Sequence, residues 1–505
     1  MLHFPVTFPE VFLRDRPGFD CIVGNPPWDK VRFEAQQFWV TRFPGLKSLG
    51  ASEQDAAIDT FRLSYPEEAE REKQEIQRRS ELQAVFARAY RLQGRAGHQE
   101  YAKLFAERAL ALLREGGALG YVLPRQCLVL GGWSVIRREL LSAASVGVVQ
   151  GRNKGGWLFE DVHQSYMIVL LTRLGREGDS SAVRVTPAVT SRAAFDQLGT
   201  NDGVAFAFDE LESLSDTLVV PWFEGPRDIA VFDGMRQGPR IGSGRGWVEA
   251  QAEANRWDFS GSGRHKVFVS SEQADGGWRV LMAAHVQSMR IDQVPGFQRY
   301  VAKPADLAPL HNGVSVEAGA AFLDESHPAI VYRYPTMNTN SRTLISTVLP
   351  RRGFLPSKGY THLLAHAKGT PKRDVLALLG FLNSYVCDWW VRRFVDRHLT
   401  KPVLEGVPLP DWDVETRDDV AAAVETLLAR GFGEDEDLPG TLGRVGGSQT
   451  HAALSDHELR SDVEVAVASG FGIDADGLRA VLDAFSDSAD GCPPDLRRLI
   501  LDRLQ

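Results

Sequence analysis

The feature that most constrains the fold is a short apolar run that two consecutive prolines bring to a stop. Phe19-Asp20-Cys21-Ile22-Val23-Gly24 has the length and apolar density of a buried parallel strand, and Asn25-Pro26-Pro27-Trp28 follows it directly. Proline has no N–H for a ladder and holds φ at about −65°, so regular structure does not continue through this point. The chain must leave the sheet here in a stiff loop.

Around that run, residues 1 to about 180 read as alternating strands and helices. Tyr65 to Gln93 is rich in Glu, Arg, Gln and Ala and reads as a helical excursion. Its charges Glu67, Glu68, Glu70, Arg71, Glu72 and Lys73 read as a solvated face. Glu100 to Arg114 has Leu104, Phe105, Ala109 and Leu112 near helical spacing, and Gly116-Gly117 stops it. A strand over Ala118–Leu123, a helix over Trp133–Leu141, and strands near Val146–Val149 and Ser165–Leu171 complete the pattern. The fold class is α/β with an open, mostly parallel sheet over 1–175. Residues 176–223 read as a connector. Residues 224–410 form a loop-rich, mixed α+β domain with β-like runs at Lys266-Val267-Phe268-Val269 and Ala329-Ile330-Val331-Tyr332. Beyond Pro408-Leu409-Pro410 the composition turns to Ala, Asp, Glu and Leu, and 411–505 reads as a small acidic helical tail.

Composition excludes several classes. With 43% hydrophobic and 24% charged residues, the 505-residue chain is globular in character, with room for two to four domains. No window approaches eighteen uninterrupted apolar residues, so a membrane span is not expected. The amino end lacks the features of a secretory signal. Cys21, Cys127, Cys387 and Cys492 lie far apart without a C-x-x-C pair, which argues against a zinc site or a disulfide framework and fits a reducing cytoplasm. The net charge of −9 is unlike that of a DNA-binding protein, but acid concentrates in the tail, as in Glu434-Asp435-Glu436-Asp437. Screening limits the reach of such a tail to about 10 Å, so net charge does not decide the matter.

The loop after the first strand has a chemistry of its own. The exocyclic nitrogen of adenine is a poor nucleophile because its lone pair is delocalised into the ring. A side-chain amide oxygen from Asn25 and the backbone carbonyl of Pro26, each accepting from that amine, draw the nitrogen toward tetrahedral geometry. The prolines hold the acceptors in place, and Trp28 offers a flat face for a base taken out of its stack. Read on its own, Asn25-Pro26-Pro27-Trp28 is also compatible with a strand-ending turn that Asn caps and Pro-Pro stiffens.

Here the chain resembles a known family. Phe8-Pro9-Glu10-Val11-Phe12 and Gly18 through Trp28 are similar to the catalytic motif of the large Eco57I-type adenine-specific DNA methylases of restriction–modification and phage-defence systems. Glu100-Tyr101-Ala102-Lys103-Leu104-Phe105 and Leu112 through Pro124 resemble the family's next helix and strand, where the family usually has Asp at the position of Glu100. Gly151-Arg152-Asn153 through Phe159-Glu160-Asp161-Val162-His163 resembles the segment walling the adenine pocket. The resemblance implies a partial Rossmann-like class I methyltransferase sheet, with Asn25, Pro26, Pro27 and Trp28 as catalytic loop. It implies Asn153 and Phe159 lining the base pocket, Glu100 as a contact to S-adenosylmethionine, and no metal. The family's donor site is a glycine-rich loop upstream of the Asn-Pro-Pro motif, and about 24 residues before Asn25 do not accommodate it. The edge of the first strand is then expected to be exposed and prone to pairing. A separate polypeptide supplying the first half, or a truncated reading of a longer protein, would account for this.

In the middle domain, Asn338-Thr339-Asn340-Ser341-Arg342-Thr343-Leu344-Ile345 resembles the family's N-x-R-T segment, and Leu379 through Pro410 the end of its target-recognition domain. Arg342, Arg351, Arg352, Lys358, Lys372 and Arg373 read as a basic surface for double-stranded DNA. Trp389-Trp390 reads as helix packing. The leading expectation is site-specific adenine-N6 DNA methylation, incomplete in this chain. The alternatives are a non-catalytic DNA-binding subunit and an Asn-Pro-Pro methyltransferase acting on RNA or protein.

Overall fold

A computed structural model describes residues 3–94, 98–160, 162, 167–175, 182–199, 202–215, 217–253, 278–292, 301–302, 329–337, 340–349, 354–356, 361–366, 369–395, 399–432 and 449–504. The chain divides into two compact units, Met1–Glu212 with Thr217–Val220, and Ser213–Asp216 with Pro221–Gln505.

The first unit is built on a six-stranded sheet: β1 Phe19–Gly24, β2 Leu113–Pro124, β3 Ser145–Arg152, β4 Met167–Leu174, β5 Ala182–Val185 and β6 Val204–Ala207. Their order is β1-β2-β4-β3-β5-β6. The expectation of a mostly parallel sheet does not hold. Only β1–β2 and β3–β5 are parallel, and β4 runs reversed between β2 and β3. The connection out of β3 explains the reversal. Among its described residues it holds one short 3-10 turn, Lys154–Gly156, whereas a parallel return normally needs a crossover helix. The β1–β2 connection has such helices: α1 Ala51–Ser64, α2 Pro66–Ala89 and α3 Tyr101–Leu112. Helix α4, Ser134–Leu141, lies between β2 and β3 in the chain. The expected connector at 176–223 instead contributes β5 and β6 to this sheet.

Helix α3 buries Ala102, Leu104, Ala106, Ala109 and Leu112, while Phe105, placed by spacing on the apolar face, is 47% exposed. Gly18 opens β1 at φ +114°, where a Cβ would lie 2.5 Å from the Arg114 nitrogen; only glycine fits that approach. Phe19 is surrounded by the rings of Phe4, Phe8 and Phe12, at centroid distances of 5.3–6.0 Å. Among the described residues β1 pairs only with β2; its other edge is open, and Val23 there is 80% exposed.

The second unit contains a four-stranded antiparallel sheet, β7 Ala250–Glu253, β8 Ile330–Arg333, β9 Ser346–Val348 and β10 Thr361–His366, ordered β9-β8-β10-β7. Its helices are α5 Pro226–Met235, α6 Lys372–Leu382, α7 Tyr385–Arg392, α8 Val414–Phe432, α9 Asp456–Gly470, α10 Ala475–Leu482 and α11 Pro494–Leu504. The expected run at Lys266–Val269 lies outside the described residues. The helical tail expected as a separate part is integral to this unit. Gly380 of α6 meets Val420 and Val424 of α8 so closely that a Cβ would lie 2.8 Å from the Val424 methyl. The Tyr385 hydroxyl donates to the Gly491 carbonyl at 2.7 Å. Trp389 and Trp390 are fully buried packing residues, as read from sequence; Trp390 stacks on Phe232 with centroids 4.4 Å apart. Among the described residues no helix is long and apolar enough to cross a membrane, and no cluster of His, Cys, Asp or Glu is placed to hold a metal ion.

Candidate functional site

The directions of the strands gather the site. Because β1, β2 and β3 all run the same way, their carboxyl ends lie along one rim of the sheet, and loops leaving that rim meet. At the end of β1, Gly24 stands opposite Tyr121, and an added Cβ would come 3.2 Å from the Tyr121 ring. Burial pushes the Tyr121 hydroxyl above its ordinary pKa, so it stays a neutral donor to the Phe105 carbonyl, 3.3 Å away. Past Gly24 the chain turns out of the sheet with Asn25 and Pro27 exposed, Pro26 buried and Trp28 partly buried. Two backbone bonds tie the far end of the loop to the start of α3: Tyr101 N–H to Asp29 at 3.0 Å and Val31 N–H to Gln99 at 2.9 Å. The Asn25 side chain and the Pro26 carbonyl have no hydrogen-bond partner among the described residues, and the buried Trp28 Nε1 has none either.

Trp28 touches Phe159 edge to face, with centroids 6.2 Å apart. Asn153, expected beside Phe159 as a pocket-lining residue, is fully buried and wholly committed. Its Nδ2 donates to the carbonyls of Phe159 and Val162 at 2.8 and 2.7 Å, and its Oδ1 accepts from the N–H groups of Leu158 and Phe159 at 3.1 and 3.0 Å. An amide with all four bonds spent inside its own loop braces that loop and places Phe159; it has nothing left for a base.

Glu100, expected as a contact to the methyl donor, already has a partner within the fold. Glu100 accepts from Trp133 Nε1 at 2.9 Å. The neighbouring Lys103 is buried, its ammonium donating to the carbonyls of His98 and Gly132, and burial lowers its pKa while Glu100 opposes that shift. The glycine-rich stretch Gly151–Gly156 ends β3 and opens only a three-residue turn, not the helix N-terminus a donor loop requires.

A cleft of about 890 Å³ opens beside Trp28, between α2 and residues 28–42. Arg71, Glu75, Arg78 and Arg79 fall at i, i+4, i+7 and i+8 on α2, and Glu34, Phe38 and Arg42 line the other side. Each of two carboxylates serves two guanidinium groups. Glu68 binds Arg42 and Arg71, and Glu75 binds Arg79 and Arg78. These partners, Arg42 first for Glu68 and Arg79 first for Glu75, hold both carboxyls below their ordinary pKa. Arg62 of α1 clamps Glu72 of α2 with bonds of 2.7 and 2.8 Å. Glu72, read from sequence as part of a wet helix face, is therefore 3% exposed and locks α1 to α2. The sequence reading took Arg71 as part of a solvated face and did not single out Arg78 or Arg79. The signal was the i, i+7 recurrence of Arg71 and Arg78, with Arg79 adjoining.

In the second unit one member of the expected DNA-binding set, Arg342, is not presented at a surface. Arg342 is 8% exposed. Its Nε donates to Asp388 at 2.7 Å, its Nη2 donates to the Asn383 carbonyl at 2.6 Å, and its guanidinium lies 4.4 Å from the Tyr385 ring. Asp388, fully buried, also accepts from the backbone of Thr343 and Leu344. Arg342 thus pins its own strand-like segment to α7, and a phosphate contact is ruled out by its burial. Arg373 is paired with Asp418 at 3.4 Å and Asp374 at 3.8 Å, and Lys372 starts α6 with its pKa lowered by burial. Arg351, Arg352 and Lys358 lie outside the described residues.

No known family model matches the chain, and no curated protein matches it. Among solved structures it is similar to the type IIL restriction–modification enzyme MmeI in complex with DNA, at 11% identity over 96% of this chain and 56% of that one, with a TM-score of 0.38. It is similar to the type IIG restriction endonuclease BpuSI at 13% identity, over 91% and 54%, with a TM-score of 0.30. A DrdV–DNA complex aligns at 10% identity over 83% and 45%, with a TM-score of 0.34. The chain spans about half the length of these proteins.

Proposed function

We propose that the chain carries the target-base half of an adenine-N6 DNA methyltransferase of the restriction–modification type. The observation that supports this reading is the contrast between two asparagines of the first unit. Asn153 has spent every polar atom on its own loop, while Asn25, followed by a proline carbonyl without a partner and by a partly open indole, has spent none. In this reading Asn25 Oδ1 and the Pro26 carbonyl accept the two amine hydrogens of an unstacked adenine, loosening the lone pair from the ring. The indole face of Trp28 takes the base, a contact worth roughly 1–3 kcal/mol. The donor would be S-adenosylmethionine, which supplies an electrophilic methyl group when bound. In this reading its site lies on strands paired along the open edge of β1, from this or a separate polypeptide.

A second reading, a DNA-binding subunit that never turns over, is favoured by the commitment of Glu100 and of the Gly151–Gly156 turn to the fold. A duplex carrying a mismatched adenine beside a 2-aminopurine reporter, titrated with the full chain, tests the shared element. A fluorescence change lost in Trp28→Ala and weakened at least several-fold in Asn25→Ala is expected. An unchanged signal in both variants rejects the base-binding role. Methyl transfer to DNA, measured with the missing half restored and compared with RNA and protein acceptors, then separates the readings.

A further inference from the structure

The cleft beside Trp28 extends well beyond the loop read as gripping the base, and it is heavily charged. Six basic side chains line it against three acidic ones, in a chain whose overall charge is −9. The pairing arithmetic leaves donors free. Arg71 and Arg78 each use one Nη1 on their carboxylates, and they are 61% and 73% exposed, with the other edges of their guanidinium groups turned to solvent. A guanidinium offers five N–H donors, so a carboxylate on one edge fixes its orientation without using it up. The shared carboxylates thus hold four arginines in a fixed array with a surplus of positive charge. The walls are also aromatic: Trp28, Phe33, Phe38 and Tyr101 line the same space, and the Arg42 guanidinium lies 3.5 Å over the Phe38 ring. Alternating guanidinium groups and ring faces suit a chain of phosphates and bases, and the volume falls within the roughly 300–1,000 Å³ of ligand-binding clefts. An acidic peptide would use the charges and leave the rings idle.

We infer that this cleft is a track for a single strand of nucleic acid, with Arg71 and Arg78 on its phosphates, leading to the indole of Trp28. The inference rests on the base-binding reading of the loop for its direction, and on the cleft's own composition for its ligand class. The track receives the nucleotides flanking the unstacked base, so the bend imposed on the strand is held by α2 as well as by the loop.

The test uses the full chain, a labelled twelve-nucleotide single strand and a salt titration followed by anisotropy. Each neutralised phosphate contributes about −0.7 to the slope of log affinity against log salt for a single strand. Arg71→Gln with Arg78→Gln is expected to flatten the slope by about 1.4 and to weaken binding about tenfold at low salt. Its melting temperature should be unchanged, since both side chains are exposed and α2 is held by the Arg62–Glu72 clamp. Arg192→Gln with Arg498→Gln, exposed arginines elsewhere, serves as the control and should leave the slope alone. Failure of oligonucleotide binding, an unchanged slope in the cleft variant, an equal loss in the control, or equally tight capture of poly-glutamate would each overturn the proposal. Asn25→Ala keeps the slope in every case, so a lost 2-aminopurine signal with an intact slope separates failure of the loop reading from failure of this one.

Discussion

Trp28 and Phe159 meet at 82°, the edge of one ring against the face of the other, although 130 residues separate them in the chain. Edge-to-face pairs are worth about 0.5–1.5 kcal/mol beyond the area they bury, enough to hold an indole in one rotamer without covering both of its faces. The contact joins the loop proposed to grip the base to a loop held by its own asparagine. Asn153 shapes the second, and through Phe159 it fixes the first.

The two asparagines should therefore behave in opposite ways. Asn153→Ala leaves two N–H groups and two carbonyls of a partly buried loop unpaired and should cost the first unit about 1–3 kcal/mol, seen as a lowered melting temperature. Asn25→Ala should stay within about 0.5 kcal/mol of the parent, because nothing in the fold uses its amide. Equal melting losses would show that Asn25 serves the fold.

Asp388 is the fulcrum of the second unit. Asp388→Ala strands the buried Arg342 guanidinium and unpairs the Thr343 and Leu344 N–H groups, so unfolding in urea should show a loss of about 3–5 kcal/mol. A small loss would mean that Arg342 finds water, and its exclusion from a ligand-binding role would then lapse.

Glu464 gives the fold a pH dependence. Burial pushes its carboxyl up from 4.5 to about 7, against the opposing pull of the Tyr385 N–H and of Arg342. An acid whose folded pKa is raised binds more protons folded than unfolded between these values, so stability is greatest below about pH 4.5 from this group and falls as pH rises to about 7. Glu464→Gln should remove that decline, raising the melting temperature at pH 8 and hardly changing it at pH 4.5. A variant less stable than the parent at pH 8 would show that the carboxylate is favourably bound.

The open edge of β1 should make the chain self-associate. Val23 stands 80% exposed on that edge strand, and Val23→Lys should lower concentration-dependent association in sedimentation velocity with little change in stability. Association that persists unchanged would place the contact elsewhere.

Much of the first unit was legible because its signals are local. The apolar run at 19–24, the prolines behind it, the unbroken helix at 66–89 and the strand over 118–123 are written in neighbouring residues, but Gly116-Gly117, read as a helix stop, lie inside that strand, which begins at Leu113. Strand direction was not legible, since period and apolar content are the same for β4 running either way. The strands at 182–185 and 204–207 are only four residues long, too short for periodicity to mark them against a connector. Charged residues were the hardest to read. Arg342 looks like a phosphate ligand until Asp388, 46 positions on, encloses it; Glu72 looks solvated until Arg62, on another helix, takes both its oxygens. The arginines of α2 gain a role only when residues 28–42 stand opposite them.

The bond from the Tyr385 hydroxyl to Gly491, and the closeness of Gly380 to Val420, bear on how this protein is cut for expression. A boundary drawn after Pro410, where the composition shifts, would strip the last ninety-odd residues from a core they help to close and uncover Phe381 and Tyr385. A carboxyl-terminal unit purified by itself should run from near Pro221 through Leu504, and one that ends at Pro410 should be recovered from the insoluble fraction.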